Sequence, residues 1–290
     1  MHDNHCHNRR RFLRGLVATA GGLGAASLTA HAAPTPAPKG GSLRVWSCGG
    51  LAEAMNPAHA AYKAKSGVDV VYTGAFAGAL GKSLMSGQGE TDVFAGRVLA
   101  LAQNLRKKGK MLCFVPLCFT SYVIAVPKGN PANIAELGDL ARPGVRVAMS
   151  PLASPPGGQA VMGILKAAQL TEAVMKNVLD PEASCIQRTI TDVCEKKADA
   201  MIVERRITRM PQYGEHLDLV EIPENFFPAG PLTFTVGIMA SVRDRALADA
   251  YVAWLTGPEG QAFYERAGFI PAISPKGQEM TEKLGVKDVN

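Results

Sequence analysis

Three stretches of small residues lie where a β-branched run gives way to a helical pattern: residues 47–50, 73–78 and 154–158. A chain that leaves a strand through such a loop and opens a helix presents unsatisfied backbone N–H groups and the positive end of a helix dipole, which together suit an anion. The strand ends of an open parallel sheet share one edge, so the three junctions can meet at one cleft. Taken singly, each loop also fits tight helix–strand packing. Arg97 follows a third strand-like run and offers paired N–H donors suited to a phosphate-like, sulfonate or carboxylate group. As an alternative, it is a surface arginine or the partner of Glu204.

Other chemistries find less support. Cys48, Cys113, Cys118, Cys185 and Cys194 follow the N-terminal region, with Cys113–Cys118 and Cys185–Cys194 the local candidates for disulfides and one thiol left over. Their spacing does not form a zinc module. Lys82-Ser83 imitates the end of a nucleotide-binding P-loop, but Phe76 stands where its first glycine belongs. A hydrolase would have only His59 and His216 as bases, without a nucleophile motif, and His59 lies beside the apolar face of the first helix. An enzyme is therefore not expected.

The elements that must position these residues alternate between strand and helix, which predicts an α/β protein with mostly parallel sheets. Strands are expected at 43–47, 68–72, 92–95, 121–126, 145–149, 201–203, 219–222 and 233–239. Leu51, Ala54, Met55, Ala58 and Tyr62 form the apolar stripe of a first helix closing near Gly67, with a kink or break expected at Pro57. Further helices are expected after residue 77, from the third strand to Gly109, at 134–140, from Gln159 to about Leu170, at 246–255, and from Pro258 through Arg266, with Gly257 as its N-cap.

The first 32 residues are predicted to be an export signal. Asn8-Arg9-Arg10-Arg11-Phe12-Leu13-Arg14 resembles the twin-arginine consensus, residues 15–28 are an apolar run too short to span a membrane, and Ala30-His31-Ala32 is a small-x-small cleavage site. The Pro/Ala-rich residues up to 40 read as a leader. The chain has 290 residues, 47% apolar and 19% charged, with 31 Lys+Arg against 25 Asp+Glu. The signal holds four of those arginines and one aspartate, so the remainder carries only +3 and lacks the basic stripe of a nucleic-acid-binding protein. It also holds Cys6 and four of the six histidines, which removes the His/Cys cluster at the very start from consideration as a metal site.

Several runs carry a family resemblance: 45–50, Tyr62-Lys63-Ala64-Lys65-Ser66-Gly67-Val68, Asp92-Val93-Phe94-Ala95, 123–131, 198–203 and 253–269 with its Gly257-Pro258-Glu259-Gly260-Gln261. The layout from Leu43 to Ile270 resembles the periplasmic solute-binding proteins of ABC transporters, most nearly the molybdate/tungstate-binding family. The resemblance implies a two-lobed type II periplasmic-binding-protein fold, with lobe one at 41–120 plus 230–290, lobe two at 121–229, and the ligand cleft between them. Carried over by position, it implies a small-anion site at Ser47, Cys48, Ala77, Gly78, Ser154, Pro156 and Gly157, to which Arg97, Cys185 and Glu204 are added as candidates. The sequence departs from the family's pattern where Ala77-Gly78 replaces a hydroxyl pair, Cys48 stands in the first loop, and Arg97 replaces a small or acidic residue.

The expected function is capture of a molybdate- or tungstate-like oxyanion, without a cofactor, by a periplasmic monomer. Its partners would be the twin-arginine translocase during export and an ABC permease in the inner membrane. The alternative is a carrier or sensor of a thiophilic metal or cofactor, using cysteines in the cleft.

Overall fold

The structure is a computed structural model that describes residues 40–153 and 155–288. The expected export signal and most of the leader lie outside the described residues. Three strand-to-helix steps open the fold. Strand β1 (Ser42–Cys48) passes through a 3-10 turn, Gly49–Leu51, into α1 (Ala52–Ser66). Strand β2 (Asp69–Ala75) leads to α2 (Ala77–Ser86), and β3 (Val93–Arg97) leads to α3 (Leu99–Lys107). The long β4 (Met111–Phe119) then gives way to β5 (Tyr122–Pro127) and a second sheet.

The second sheet continues with β6 (Val147–Ala148), the helices α4 (Gly157–Ala167), α5 (Thr171–Met175) and α6 (Ile186–Cys194), then β7 (Ala200–Glu204), the short α7 (Arg205–Thr208) and β8 (Leu217–Glu221). Strand β9 (Thr233–Met239) returns to the first sheet and is followed by α8 (Arg245–Leu255), α9 (Pro258–Arg266), β10 (Ile270–Pro271) and α10 (Pro275–Lys283). The sheet orders are β10-β4-β9-β3-β1-β2 and β6-β7-β5-β8.

The expectation of mostly parallel sheets is corrected. Among the described residues only β1–β2, β1–β3 and β6–β7 run parallel, and five pairs are antiparallel. The reason is the connection between the sheets: β9 comes back from the second sheet in the opposite direction and inserts between β3 and β4.

Both sheets are covered on both faces, as strand alternation requires. In β3, Val93 and Ala95 join the core beneath α1, α8 and α9, while Phe94 joins the opposite core with Leu80, Leu84 and Leu105. In β5, Ile124 and Val126 pack with Ile164 and Leu165 of α4, and Val123 and Ala125 pack with Ile190 and Val193 of α6.

Several boundaries differ from expectation. Pro57 does not break α1 into separate segments; it lies on the exposed face, where water can satisfy the carbonyl it leaves unpaired. Strand β2 continues through Thr73 to Ala75 because it keeps pairing with β1, ending at Cys48↔Ala75. The helix expected at 134–140 is a 3-10 turn at Leu137–Ala141, and the one expected to reach Leu170 stops at Ala167.

Neither expected disulfide forms: Cys118, Cys185 and Cys194 are free thiols. Cys113 and Cys118 lie on one strand, five residues or roughly 16 Å apart. Cys185 and Cys194 sit at opposite ends of α6, roughly 13 Å apart. Both separations exceed the reach of a disulfide. Among the described residues, no helix is long and apolar enough to cross a membrane.

Candidate functional site

Besides the short α7, whose Glu204 and Arg206 line it, four helical segments begin on the wall of one cavity of about 420 Å³. From the first-sheet side come Cys48-Gly49-Gly50, opening the 3-10 turn before α1, and Phe76-Ala77, opening α2. From the second-sheet side come Pro156-Gly157, opening α4, and Cys185-Ile186, opening α6. None of the residues preceding these four first turns, Cys48, Phe76, Pro156 and Cys185, caps its helix through its side chain. Away from the cavity, α8 and α10 are capped by Asp244 and Ser274, while α3, α5 and α9 also lack a side-chain cap. The cavity is thus bordered by first-turn N–H groups from both sheets, the donors a helix cannot satisfy internally.

The charged groups of this wall are tied into one network. Glu204, at the end of β7, accepts from Arg97 Nη1 at 2.6 Å through one oxygen and from Arg206 Nε at 2.8 Å through the other. Arg97, at the end of β3, also donates from Nε to the Pro231 carbonyl at 2.8 Å and from Nη2 to the Tyr122 hydroxyl at 3.1 Å. Its guanidinium lies 5.1 Å from the Phe234 ring centroid. Arg206 reaches Glu53 of α1 at 3.5 Å. Arg97 therefore joins strands of the two sheets, and Arg206 joins α7 to α1.

A Cβ at Gly50 would come within 3.1 Å of Arg206 Nη2, so a side chain there would displace this guanidinium by a few tenths of an ångström. Burial works to raise the pKa of Glu204, but Arg97 and then Arg206 outweigh it and hold the carboxyl below its usual range, ionised at neutral pH. Burial pushes the Cys48 thiol up to about 12, so it is protonated. With Glu53, Arg97, Glu204 and Arg206 lining the cavity, two positive charges face two negative ones.

Of the residues expected at a binding site, Cys48, Ala77, Arg97, Pro156, Gly157, Cys185 and Glu204 line the cavity. Ser47 is fully buried, its hydroxyl engaged by Tyr72 Oη at 2.7 Å and by the Cys48 carbonyl at 3.0 Å. Gly78 lines an adjoining recess, and Ser154 lies outside the described residues. Arg97 is not a surface residue; of the two alternatives, the pair with Glu204 is the one present. Arg206 and Glu53 were not singled out from sequence, and Cys185 was singled out as a thiol rather than as the start of a helix. The available signal for Arg206 was positional, since Glu204-Arg205-Arg206 also follows a buried strand. Cys48 and Cys185 both reach the cavity, yet among the described residues no group of three or more His, Cys, Asp or Glu side chains could hold a metal ion.

Residues 43–270 match the family of bacterial extracellular solute-binding proteins. The chain belongs to this family. Among curated relatives, a molybdate-binding protein of Mycobacterium tuberculosis is 30% identical over 237 residues, covering 79% of this chain and 84% of the relative. A sulfate-binding protein of Synechococcus elongatus is 31% identical over 174 residues, covering 54% of this chain and 49% of the relative, so the match spans about half that relative's length.

Among solved structures, the periplasmic molybdate-binding protein of Azotobacter vinelandii is similar, with a TM-score of 0.62 at 17% identity, covering 79% of this chain and 98% of the other. The sulfate-binding protein of Mycobacterium tuberculosis gives 0.57 at 16% identity, with 84% and 91% coverage. At these identities the structures establish the fold, the two-lobed type II periplasmic-binding-protein architecture with its cleft between the lobes.

Proposed function

We propose that this solute-binding protein captures an anion with a tetrahedral oxyanion head in the cleft and delivers it to an ABC permease in the inner membrane. The observation that carries this reading is the group of four helical N-termini, unassisted by cap side chains, around one cavity. Because the cavity's own charges balance, an incoming anion is held chiefly by oriented N–H dipoles and by the guanidinium donors that Glu204 does not take. Molybdate and tungstate are the favoured inorganic ligands, since the molybdate-binding relative matches over more of both chains than the sulfate-binding one.

On this reading residues 41–120 and 230–290 form one lobe and 121–229 the other, and the protein works as a monomer in the periplasm after twin-arginine export. The thiol-based alternative has in its favour that Cys48 and Cys185 approach the cavity from different sheets. Against it stand the protonated Cys48 thiol and the lack of a third ligand among the described residues.

The test is Ala77→Pro. Ala77 is the first residue of α2, and Phe76 before it has φ −61° and ψ 128°, the extended conformation a following proline requires. The substitution removes one N–H donor while leaving the helix intact. Affinity for the best inorganic oxyanion is expected to fall about tenfold or more, as for one charge-assisted hydrogen bond, with the unliganded melting temperature unchanged. Unaltered affinity would show that the anion is not held at this helix.

A further inference from the structure

The cavity continues into a second recess of about 500 Å³ that shares Phe76, Ala77, Arg97, Pro155 and Pro156 with it. The recess adds Gly78, Gly81, Val98 and Leu101 on one side and Gln159 of α4 on the other, with Lys82 as the further charged side chain. Apart from Lys82 and the Gln159 amide, the side chains it adds are apolar or absent. Phe76, which borders both spaces, is 72% exposed. An inorganic tetrahedral oxyanion occupies roughly the volume of three waters, on the order of 100 Å³, and leaves this recess empty.

Two details narrow the occupant. The Nη1 and Nη2 groups of Arg97 that would form a fork for a planar carboxylate are already engaged with Glu204 and Tyr122. First-turn N–H groups arriving from both sheets suit a head with oxygens pointing in several directions. Gly78, the second residue of α2, has nothing within 4 Å of where its Cβ would be. Packing does not demand this glycine; the space beside it belongs to the recess.

We propose that the ligand is an organic oxyanion, a sulfonate or phosphonate, with its head among the helix N-termini and an apolar body of a few carbons in the recess against Phe76, Val98 and Leu101. This rests on the anion reading above and narrows its substrate class.

The test is calorimetric titration of the purified protein with sulfate, molybdate, and the methyl and butyl members of the sulfonate and phosphonate series. Each methylene taken from water strengthens binding by up to about fourfold, so the butyl member of the preferred series is expected to bind at least about tenfold tighter than the methyl member. In Gly78→Leu the new side chain fills the recess and that ratio falls toward one; an unchanged melting temperature without ligand confirms that the variant folds. The sulfonate and phosphonate arms decide which head is taken.

Equal affinity for methyl and butyl members, or a ratio unmoved in Gly78→Leu, overturns the recess as a subsite. Binding of sulfate or molybdate alone overturns the organic ligand and leaves the anion reading standing. Binding of none of the six overturns both. The chain-length series in the unsubstituted protein stands without the variant.

Discussion

The carboxylate of Glu204 is shared by the buried Arg97 and the partly buried Arg206, and that arrangement decides what substitutions in the cleft will do. Removing one partner of a buried ion pair leaves the other charge uncompensated, typically at about 3–5 kcal/mol. Glu204→Ala is expected to lower unfolding stability by about that amount in urea denaturation, chiefly through the stranded guanidinium of Arg97, since Arg206 keeps Glu53. A second residue gives a pH signature. His59 is buried, bonded through Nε2 to the Tyr251 hydroxyl at 2.7 Å, and burial lowers its pKa to about 4. Between that value and the ordinary value near 6.5 the unfolded chain binds the proton and the folded chain does not, so stability falls as pH drops through this window. The loss should be roughly 3 kcal/mol by pH 4, and His59→Gln should flatten this part of the stability–pH curve. At this scale the sequence revealed residue types more readily than partners. Arg97 stood out, and its pairing with Glu204 was one of two readings, but Arg206 lay in a basic segment without periodicity. Ser47 looked available because a strand end was visible, whereas the Tyr72 hydroxyl that engages it comes from a neighbouring strand.

Most helix starts in this fold have no side-chain cap, those on the cleft and those of α3, α5 and α9 alike, whereas α8 and α10 carry Asp244 and Ser274. Losing a cap is typically worth about 1 kcal/mol, so Ser274→Ala should destabilise the protein by about that much without altering anion affinity, as denaturation and titration would show. Pro57 supplies the opposite case. It removes a donor from the interior of α1 on an exposed face, so Pro57→Ala is expected to raise unfolding stability by about 1–2 kcal/mol, less than the full proline penalty because the unfolded chain also becomes freer. The strands around the cleft were legible because their β-branched runs end in small residues, and β9 was bounded correctly at both ends. Strand β4 was not read because Pro116 interrupts it; the pairing with β9 shifts register between Pro116 and Cys118. Strand direction was misjudged for a nonlocal reason: alternation of strand and helix does not reveal that β9 returns from the other sheet.

At the scale of the molecule, Arg97–Glu204 joins strands of the two sheets and Arg206–Glu53 joins α7 to α1, so the floor of the cleft is held together before any ligand arrives. Ligand binding should therefore act mainly at the cleft mouth. Small-angle scattering is expected to show a modest contraction on adding the preferred anion, and the melting temperature should rise with ligand concentration above Kd, equally with and without reductant. A shift seen only with a thiophilic metal under reducing conditions would instead place Cys48 and Cys185 at the centre of the function. The balance of two arginines against two glutamates has a further physical consequence. A cavity whose four charges cancel casts little field into solution and leaves Lys82 of the adjoining recess as the unbalanced cation among the lining residues, so steering is weak and the association rate should fall only about a few-fold from about 0.01 to 1 M salt, where the Debye length falls from about 30 to 3 Å. Such a receptor would gather its solute nearly as readily from brine as from fresh water.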